Sequence, residues 1–348
     1  MKKIVGTIAA IALAASSAFA GVGIGSWGRA VWAPVMGDNG GVKTAEVSSW
    51  WGGASGNYWG QTGRIGFNVS ASSENVGFVV EMTADGNAVG LNDGAYFWAT
   101  PFSWLTVKIG KVYDDTGRGN AGFGSEDWLR LGVADFNDDF TFKRFGICNS
   151  GAIVKITPVE GLWIIAAVNA DNNQQDGIAT SPLASEVYSK GQYGAGYVID
   201  GIGHIRAQYN GGDKNINAAF DLTAVENLFV SVGAFIPVES GKDTVINAYA
   251  RINLDALTLH IGEGATINGS TFKNQAAVGL DADLGNGLGV NADVRVANGD
   301  DTDLSFMAGI KKGLSNGYIG LGFEGAVKNL TTSADFSWAV PVVISAWF

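Results

Sequence analysis

Two histidines, one cysteine and one glycine-rich stretch are the residues of this 348-residue chain whose types could carry out chemistry. His204 and His260 lie far apart and lack the spacing of metal ligands. Cys148 is the only cysteine, which excludes an internal disulfide and a cysteine-rich zinc site. Gly23–Gly28 matches G-x-G-x-x-G by letter, but no strand precedes it and no βαβ unit surrounds it. With no G-x-S-x-G motif either, we expect no enzyme, no metal and no cofactor.

Charged residues recur instead at alternate positions of segments that are otherwise apolar. In Leu288–Val296, apolar residues alternate with Asn291, Asp293 and Arg295, which indicates a strand with one apolar and one polar face. The polar faces are sparse, with Gly and Ala between isolated charges, as is typical of a wall around a water-filled lumen. This pattern places a set of bases on the inner wall: Arg29, Arg64, Lys108, Lys155, Arg206 and Arg251. A set of acids lines the opposite side of the lumen: Asp221, Asp281, Asp283, Asp293 and Glu324. Arg295 and Lys311 lie among the acids and break this separation.

The C-terminal segment Phe336–Phe348 shows the same alternation up to its last residue. Phe336, Trp338 and Phe348 fall on one apolar face with the aliphatic residues between them. A soluble domain rarely leaves such an edge exposed. In a closed barrel the last strand pairs with the first, and its aromatic residues lie at the two membrane interfaces. The segment therefore favours a transmembrane barrel over a soluble sandwich.

The connections between these strands are alternately short and long. Eight are short turns; nine others lie between them, including the long connections Ala33–Tyr58, Asp114–Ser150 and Asp171–Ser189. These seventeen connections predict an all-β, antiparallel barrel of about 18 strands, and 16 strands stay open because strand ends are uncertain. The short turns would be periplasmic and the long loops extracellular.

The N-terminus has the composition of an export signal. Lys2 and Lys3 precede the apolar run Ile4–Ala15, and Ala18-Phe19-Ala20 forms a small-x-small cleavage site. We expect residues 1–20 to be removed and residues 21–348 to form one domain outside the cytoplasm. The mature chain would carry 20 basic and 33 acidic residues, which excludes nucleic acid as a natural partner.

The long connection Asp114–Ser150 combines acids with large apolar side chains such as Phe123, Trp128 and Phe136. A loop of this composition is expected to fold against another surface. Two arrangements stay open: the loop folds into the barrel, or it forms a small apolar cluster of its own outside. Its acids are Asp114, Asp115, Glu126, Asp127, Asp135, Asp138 and Asp139.

These features together resemble Gram-negative general porins: a signal peptide, no plug domain, alternating strands, a terminal Phe348 and a long loop after the fifth strand. The stretch Gly122–Asp127 is similar to the glycine- and acid-containing tip of the third loop of such porins. Trp104–Gly119 and Ser73–Phe78 resemble porin-like surface proteins of spirochaetes such as treponemes.

The resemblance implies an outer-membrane channel for passive diffusion of ions and small hydrophilic solutes. The third loop would fold inward and narrow the lumen, Phe348 would be recognised by the barrel-assembly machinery, and three copies would form a homotrimer. The acids and the negative net charge predict a weak preference for cations.

Two alternatives stay open: a surface-exposed structural or adhesion barrel, and a sugar-selective channel. The predicted constriction consists of Asp114, Asp115, Glu126 and Asp127 facing Arg29, Arg64 and Lys108, and the sugar channel would use Trp27, Tyr96, Trp98, Trp104 and Tyr318.

Overall fold

A computed structural model describes residues 21–39, 41–46, 64–85, 88–119, 145–169 and 184–348. Within these ranges the chain forms nineteen strand segments and one short helix, α1 (Ala184–Ser189). The strands are β1 (Val22–Asp38), β2 (Gly41–Glu46), β3 (Arg64–Ser72), β4 (Val76–Asp85), β5 (Ala88–Phe102), β6 (Leu105–Asp114), β7 (Phe145–Val159), β8 (Leu162–Asn169), β9 (Gln192–Ile199), β10 (Gly203–Asn210), β11 (Asn215–Leu222), β12 (Leu228–Pro237), β13 (Thr244–Leu254), β14 (Leu257–Asn268), β15 (Thr271–Gly285), β16 (Leu288–Asn298), β17 (Thr302–Leu314), β18 (Gly317–Lys328) and β19 (Asp335–Trp347).

The strands close into a single antiparallel barrel. From β3 to β19 each strand pairs with the next one, and β19 returns to pair with β1. The first half of β1 pairs with β3 and its second half with β2, so β2 and β3 share one position in the wall. Nineteen segments therefore make an 18-stranded barrel, which confirms the predicted count and rules out 16 strands.

Hydrogen bonds close the junction of the first and last strands at its two ends, through the backbone at one end and through the Asn39 side chain at the other. Near the chain terminus, the Ser26 N–H donates to the Phe348 carbonyl at 2.9 Å, and the Phe348 N–H donates to the Ser26 carbonyl at 2.7 Å. At the other end, the Asn39 side chain donates to the Ala334 carbonyl at 3.0 Å and accepts from the Phe336 N–H at 3.2 Å. No strand edge is left unpaired at this junction, as closure requires.

All eight predicted short turns join successive strands. The turn between β15 and β16 has Asn286 and Gly287 at φ 53° and 70°, the left-handed pair that a tight hairpin needs. Two of the three predicted long connections overlap strands: β1 extends to Asp38, Asp114 still belongs to β6, and β7 begins at Phe145. The third, Asp171–Ser189, lies wholly between β8 and β9 and includes α1. Backbone pairing continues beyond the apolar alternation, which is why the alternation alone missed these ends.

The two faces of the wall differ in the predicted way. On β19, Ala339 and Val343 are fully buried on the inner face, and Ile344 on the outer face is 54% exposed. Exposed apolar residues recur around the whole outer surface, and so large an apolar surface is suited to lipid. Among the described residues, no helix is long and apolar enough to span a membrane. Outward-facing examples are Ile24, Ile65, Phe97, Ile109, Ile164, Ile205, Ile216, Val232, Ile246, Ile261, Val278, Val294, Ile310 and Leu321.

Candidate functional site

The end of β6 is bent, and this bend brings together two residues that a straight strand would keep apart. The Lys108 ammonium lies 3.0 Å from a carboxylate oxygen of Asp114. Six residues of extended strand span about 20 Å, farther than these two side chains can reach. The bend includes Gly110 at φ 131°, where a Cβ atom would overlap the backbone oxygen of Ala95. The register between β6 and β7 shifts twice beyond this glycine.

The chain that follows β6 lies against a residue from the far end of β7. The Lys155 ammonium donates to the Thr116 hydroxyl at 2.9 Å and lies 3.4 Å from the Asp114 carboxylate. The Thr116 N–H donates to the other carboxylate oxygen of Asp114 at 2.8 Å. Lys155 pairs with Thr106, next to the first residue of β6, so the start of the third loop lies level with the start of that strand. We call Lys108, Asp114, Thr116 and Lys155 the loop-root cluster.

An apolar cluster lies on the inner wall beside the loop-root cluster. Val112 on the bent end of β6 packs with Ile153, Trp163 and Ile165, and Val112 and Ile153 are fully buried. Burial of these side chains favours the bent path over a straight strand, because a straight β6 would carry Val112 away from its neighbours. The bend therefore has both an ionic and an apolar contribution.

The predicted basic and acidic sides of the lumen wall meet at Arg206 and Asp221. The two residues lie on neighbouring strands, and the Arg206 guanidinium donates to both carboxylate oxygens of Asp221, at 2.8 and 3.2 Å. Ser231 adds a third hydrogen bond to this carboxylate at 2.6 Å. Counting strands placed the two charges on opposite sides, although β10 and β11 are adjacent where the two sides meet.

Other predicted lumen acids also have partners on the wall itself. The Asp281 carboxylate lies 3.0 Å from His260 Nε2, and the other ring nitrogen of His260 is 2.7 Å from the Tyr249 hydroxyl. Asp293 lies 3.3 Å from Arg295 Nε. Both contacts keep polar groups on the inner face, and the Arg295–Asp293 pair also cancels part of the local charge.

The bases predicted near the constriction lie at two separate places on the wall. Lys108 belongs to the loop-root cluster, whereas the Arg29 guanidinium lies 5.8 Å from the ring of Tyr318 and its Nε donates to Ser345 at 3.4 Å. The Lys311 ammonium approaches the same ring, also at 5.8 Å. Among the remaining predicted residues, Arg64 pairs with Arg29 in the strand register, and Glu324 is buried on β18. The Arg251 guanidinium lies 5.1 Å from the centre of the Phe229 ring, and the Asp115 carboxylate lies 3.9 Å from Arg118. Glu126 and Asp127 lie outside the described residues.

Two tryptophans lie over glycines of the neighbouring strand, which the sequence analysis did not predict. A Cβ on Gly66 would overlap Cε2 and Nε1 of Trp27, and a Cβ on Gly77 would stand 2.8 Å from Cε2 and Cζ2 of Trp98. In the sequence, the only feature that points to these contacts is the high glycine content. The strand register was needed to show which glycine each tryptophan ring covers. Trp104 differs from the prediction: it is exposed at the barrel end and stacks on Phe102 with ring centroids 5.3 Å apart.

The rim at the end of the barrel opposite the short turns carries hydrogen-bonded acids between loops. The Asp301 carboxylate accepts hydrogen bonds from the hydroxyls of Thr331 and Thr332 and from the Thr331 N–H at 3.0 Å. These hydrogen bonds lower the pKa of Asp301 well below its ordinary value. In another pair of loops, a 2.6 Å contact with Glu239 raises the pKa of Lys214 and lowers that of Glu239. A polar cavity of about 430 Å³ opens beside Asp301.

Comparison with known proteins gives matches at the level of structure. No family model matches this chain, and no curated protein matches it. The crystal structure of OpdL from Pseudomonas aeruginosa superposes with a TM-score of 0.57 at 11% identity, over 94% of this chain and 98% of OpdL. The outer-membrane protein OpdK from the same organism gives 0.56 at 13% identity, over 94% and 98%.

A mutant of the porin of Rh. blastica gives a TM-score of 0.51 at 14% identity, over 93% of this chain and 99% of the porin. The resemblance to treponemal surface proteins stays a prediction. Each superposition covers nearly the whole of both chains, so what is shared is the complete barrel rather than a fragment of it. This chain has the closed antiparallel β-barrel fold of Gram-negative outer-membrane porins.

Proposed function

We propose that this protein is a porin of the bacterial outer membrane, a water-filled channel through which ions and small hydrophilic solutes diffuse. The observation that carries the proposal is the closed 18-stranded wall, apolar and exposed outside and charged inside. A barrel of this size leaves an aqueous channel, whereas one of eight strands is filled by its own side chains. The names of the structural neighbours, a porin and an outer-membrane protein, agree with this function.

Purified protein in a planar lipid bilayer tests the channel. We expect steady current steps that rise linearly with voltage, from a preparation whose folded barrel migrates differently before and after heating. A variant that cannot close the barrel serves as the control. A folded barrel that gives no conductance would contradict the proposal and would favour a structural or adhesion role.

We propose further that the third loop turns into the lumen and narrows it. Support comes from the loop-root cluster, because Thr116 at the start of the loop contacts Lys155 near the far end of β7. The loop acids Glu126 and Asp127 would then face Arg29 across the opening. Glu126→Cys in a Cys148→Ser background should lose conductance after reaction with a bulky, charged thiol reagent. Unchanged conductance of the fully labelled variant would place the loop outside.

A weak preference for cations follows from an inward loop rich in acids. The pairs Arg206–Asp221 and Arg295–Asp293 neutralise part of the wall charge, and the acids of an inward loop would add a negative field in the opening. Reversal potentials in a salt gradient should favour cations. The double change Glu126→Gln with Asp127→Asn should weaken this preference. A wild-type pore that prefers anions would contradict the assignment.

We propose that the barrel forms a homotrimer, and an acid on its outer face supports an assembly of copies. Glu263 lies on the outward face of β14, between Ile261 and Ile267, which are 47% and 37% exposed. Its carboxylate accepts a hydrogen bond from Asn274 at 3.2 Å, and Asn298 donates to Asn274 at 3.1 Å. A carboxylate in the apolar belt is unfavourable against lipid, so a covering protein surface would stabilise it.

Replacing this acid separates a lipid-facing role from a subunit contact. If Glu263 lies between copies, Glu263→Leu should weaken the trimer measured by native mass spectrometry in detergent. If it faces lipid, the same change should leave the mass unchanged and stabilise the barrel by about 1 kcal/mol. Ile216→Leu on the outer face of β11 is the matched control and should change neither quantity. A wild-type protein that is monomeric in several mild detergents would contradict the trimer.

The export signal at residues 1–20 lies outside the described residues, and we propose that it is cleaved before Gly21. N-terminal sequencing of the protein recovered from outer membranes should begin at Gly21. A mature protein that retains Met1 would contradict the proposal.

A further inference from the structure

Two indole rings mark the ends of a strip of inner wall formed by β3 and β4. Trp27 reaches from β1 over Gly66 on β3, and Trp98 reaches from β5 over Gly77 on β4. The two rings therefore lean over adjacent strands from opposite sides. Both indoles are half-buried, so each still has surface facing the lumen.

Each ring lies closely against its glycine. Cε2 and Nε1 of Trp27 would both be 2.3 Å from a Cβ on Gly66, and Cε2 and Cζ2 of Trp98 would both be 2.8 Å from a Cβ on Gly77. The indoles can occupy these positions because the glycines have no Cβ. Each ring is half-buried, so part of it stays accessible.

The strip between the rings carries hydrogen-bonding groups. Asn68 on β3 pairs in register with Glu81 on β4, and Ser70 pairs with Val79. Asn68 is exposed, Ser70 and Glu81 are half-buried, and the Glu81 carboxylate accepts a hydrogen bond from Tyr113 at 2.7 Å. Gly77 pairs with Ser72, six residues beyond Gly66 on β3, so the two glycines are about 20 Å apart along the strands.

We infer that this strip, between Trp27 and Trp98, is a binding site for linear oligosaccharides. A pyranose ring has an apolar face of C–H groups, which are attracted to the negative face of an indole, and a rim of hydroxyls that require donors and acceptors. The strip offers both in the required order, with a half-buried indole ring at each end and amide, hydroxyl and carboxylate groups between. Its length exceeds that of a single sugar ring. The inference rests on the proposed channel function and names a class of solute for it.

A glycine substitution tests the site without removing any aromatic ring. In Gly66→Ala the new methyl group must displace the Trp27 indole, whereas Gly90→Ala on β5 has no atom within 4 Å of the new Cβ. We expect maltopentaose to block the wild-type current and to bind about tenfold more weakly to Gly66→Ala and Trp27→Leu. Gly90→Ala should retain the wild-type affinity. The acyclic polyol sorbitol should not block the current, because it has no ring to stack.

Calorimetric titration of the folded protein in detergent with maltopentaose gives a readout that does not require conductance. Binding that weakens in Gly66→Ala but not in Gly90→Ala supports the site even if no current is measured. A channel that conducts but shows neither block nor heat of binding would overturn the site and leave the channel function intact. Equal block by sorbitol, or equal affinity in all variants, would also overturn it.

Discussion

The guanidinium of Arg206 and the carboxylate of Asp221 form a two-hydrogen-bond ion pair between neighbouring strands on the lumen wall. Both side chains are almost fully buried, at 3% and 4% exposure. At this depth, removal of the carboxylate takes two charge-assisted hydrogen bonds from the buried guanidinium. The pair therefore contributes to wall stability, and its two charges largely cancel for a passing ion.

The first prediction concerns the stability of this pair. Asp221→Ala should destabilise the barrel by about 3 kcal/mol, because the buried Arg206 guanidinium loses both hydrogen bonds to this carboxylate. Replacing both residues by leucine should cost much less, since no isolated charge remains. Denaturant unfolding of the barrel in lipid vesicles measures both. Equal losses for the single and double variants would contradict the buried-charge explanation.

The second prediction concerns the loop-root cluster. Asp114→Asn should weaken its contacts with Lys108 and Lys155, destabilise the bend by about 2 kcal/mol and increase the fluctuations of the open-channel current. Asp115→Asn is the matched control one residue away, because Asp115 is exposed and lies 3.9 Å from Arg118. Single-channel noise analysis compares the two variants. Equal noise in both would show that the cluster does not hold the loop.

The third prediction concerns pH at the rim opposite the short turns. The hydrogen bonds from Thr331 and Thr332 lower the pKa of Asp301, so they stabilise the loop contact above the ordinary range of carboxyl pKa values. This stabilisation should be lost only as the pH falls through the lowered pKa. Carbon-13 NMR of the Asp301 carboxyl group should give a midpoint below the ordinary value. The midpoint should rise when both threonines are replaced by valine, and an unchanged midpoint would contradict the assignment.

The fourth prediction separates the backbone of the last residue from its side chain. The Phe348 backbone forms two hydrogen bonds with Ser26, while the residue as a whole is 75% exposed. Phe348→Ala keeps both hydrogen bonds, so the closed barrel should retain its stability once formed. If the ring is the assembly signal, the amount of protein in the outer membrane should nevertheless fall, while export to the periplasm is unchanged. Cell fractionation measures this, and normal insertion would count against the signal.

Much of the fold follows from the sequence because a strand that separates lipid from water must alternate with period two. The alternation in Leu288–Val296 and Phe336–Phe348 identified the faces, and the turn residues at Asp255 and Asn286 identified the strand ends. The chain must also close on itself, since lipid cannot satisfy an open edge. These local requirements were sufficient for the strand count.

The neighbours across the wall were decided by the tertiary structure. Alternation tells which face a residue lies on, but a register shift of two residues keeps that face and changes every partner. For this reason the sequence did not predict that Arg206 meets Asp221 or that Trp27 covers Gly66. The bend at Gly110 is a second example, because a backbone angle and two register shifts together bring Asp114 back to Lys108. The sequence by itself determined the faces of the wall, whereas pairing between distant strands decided which side chains meet, since those contacts depend on positions that no local pattern encodes.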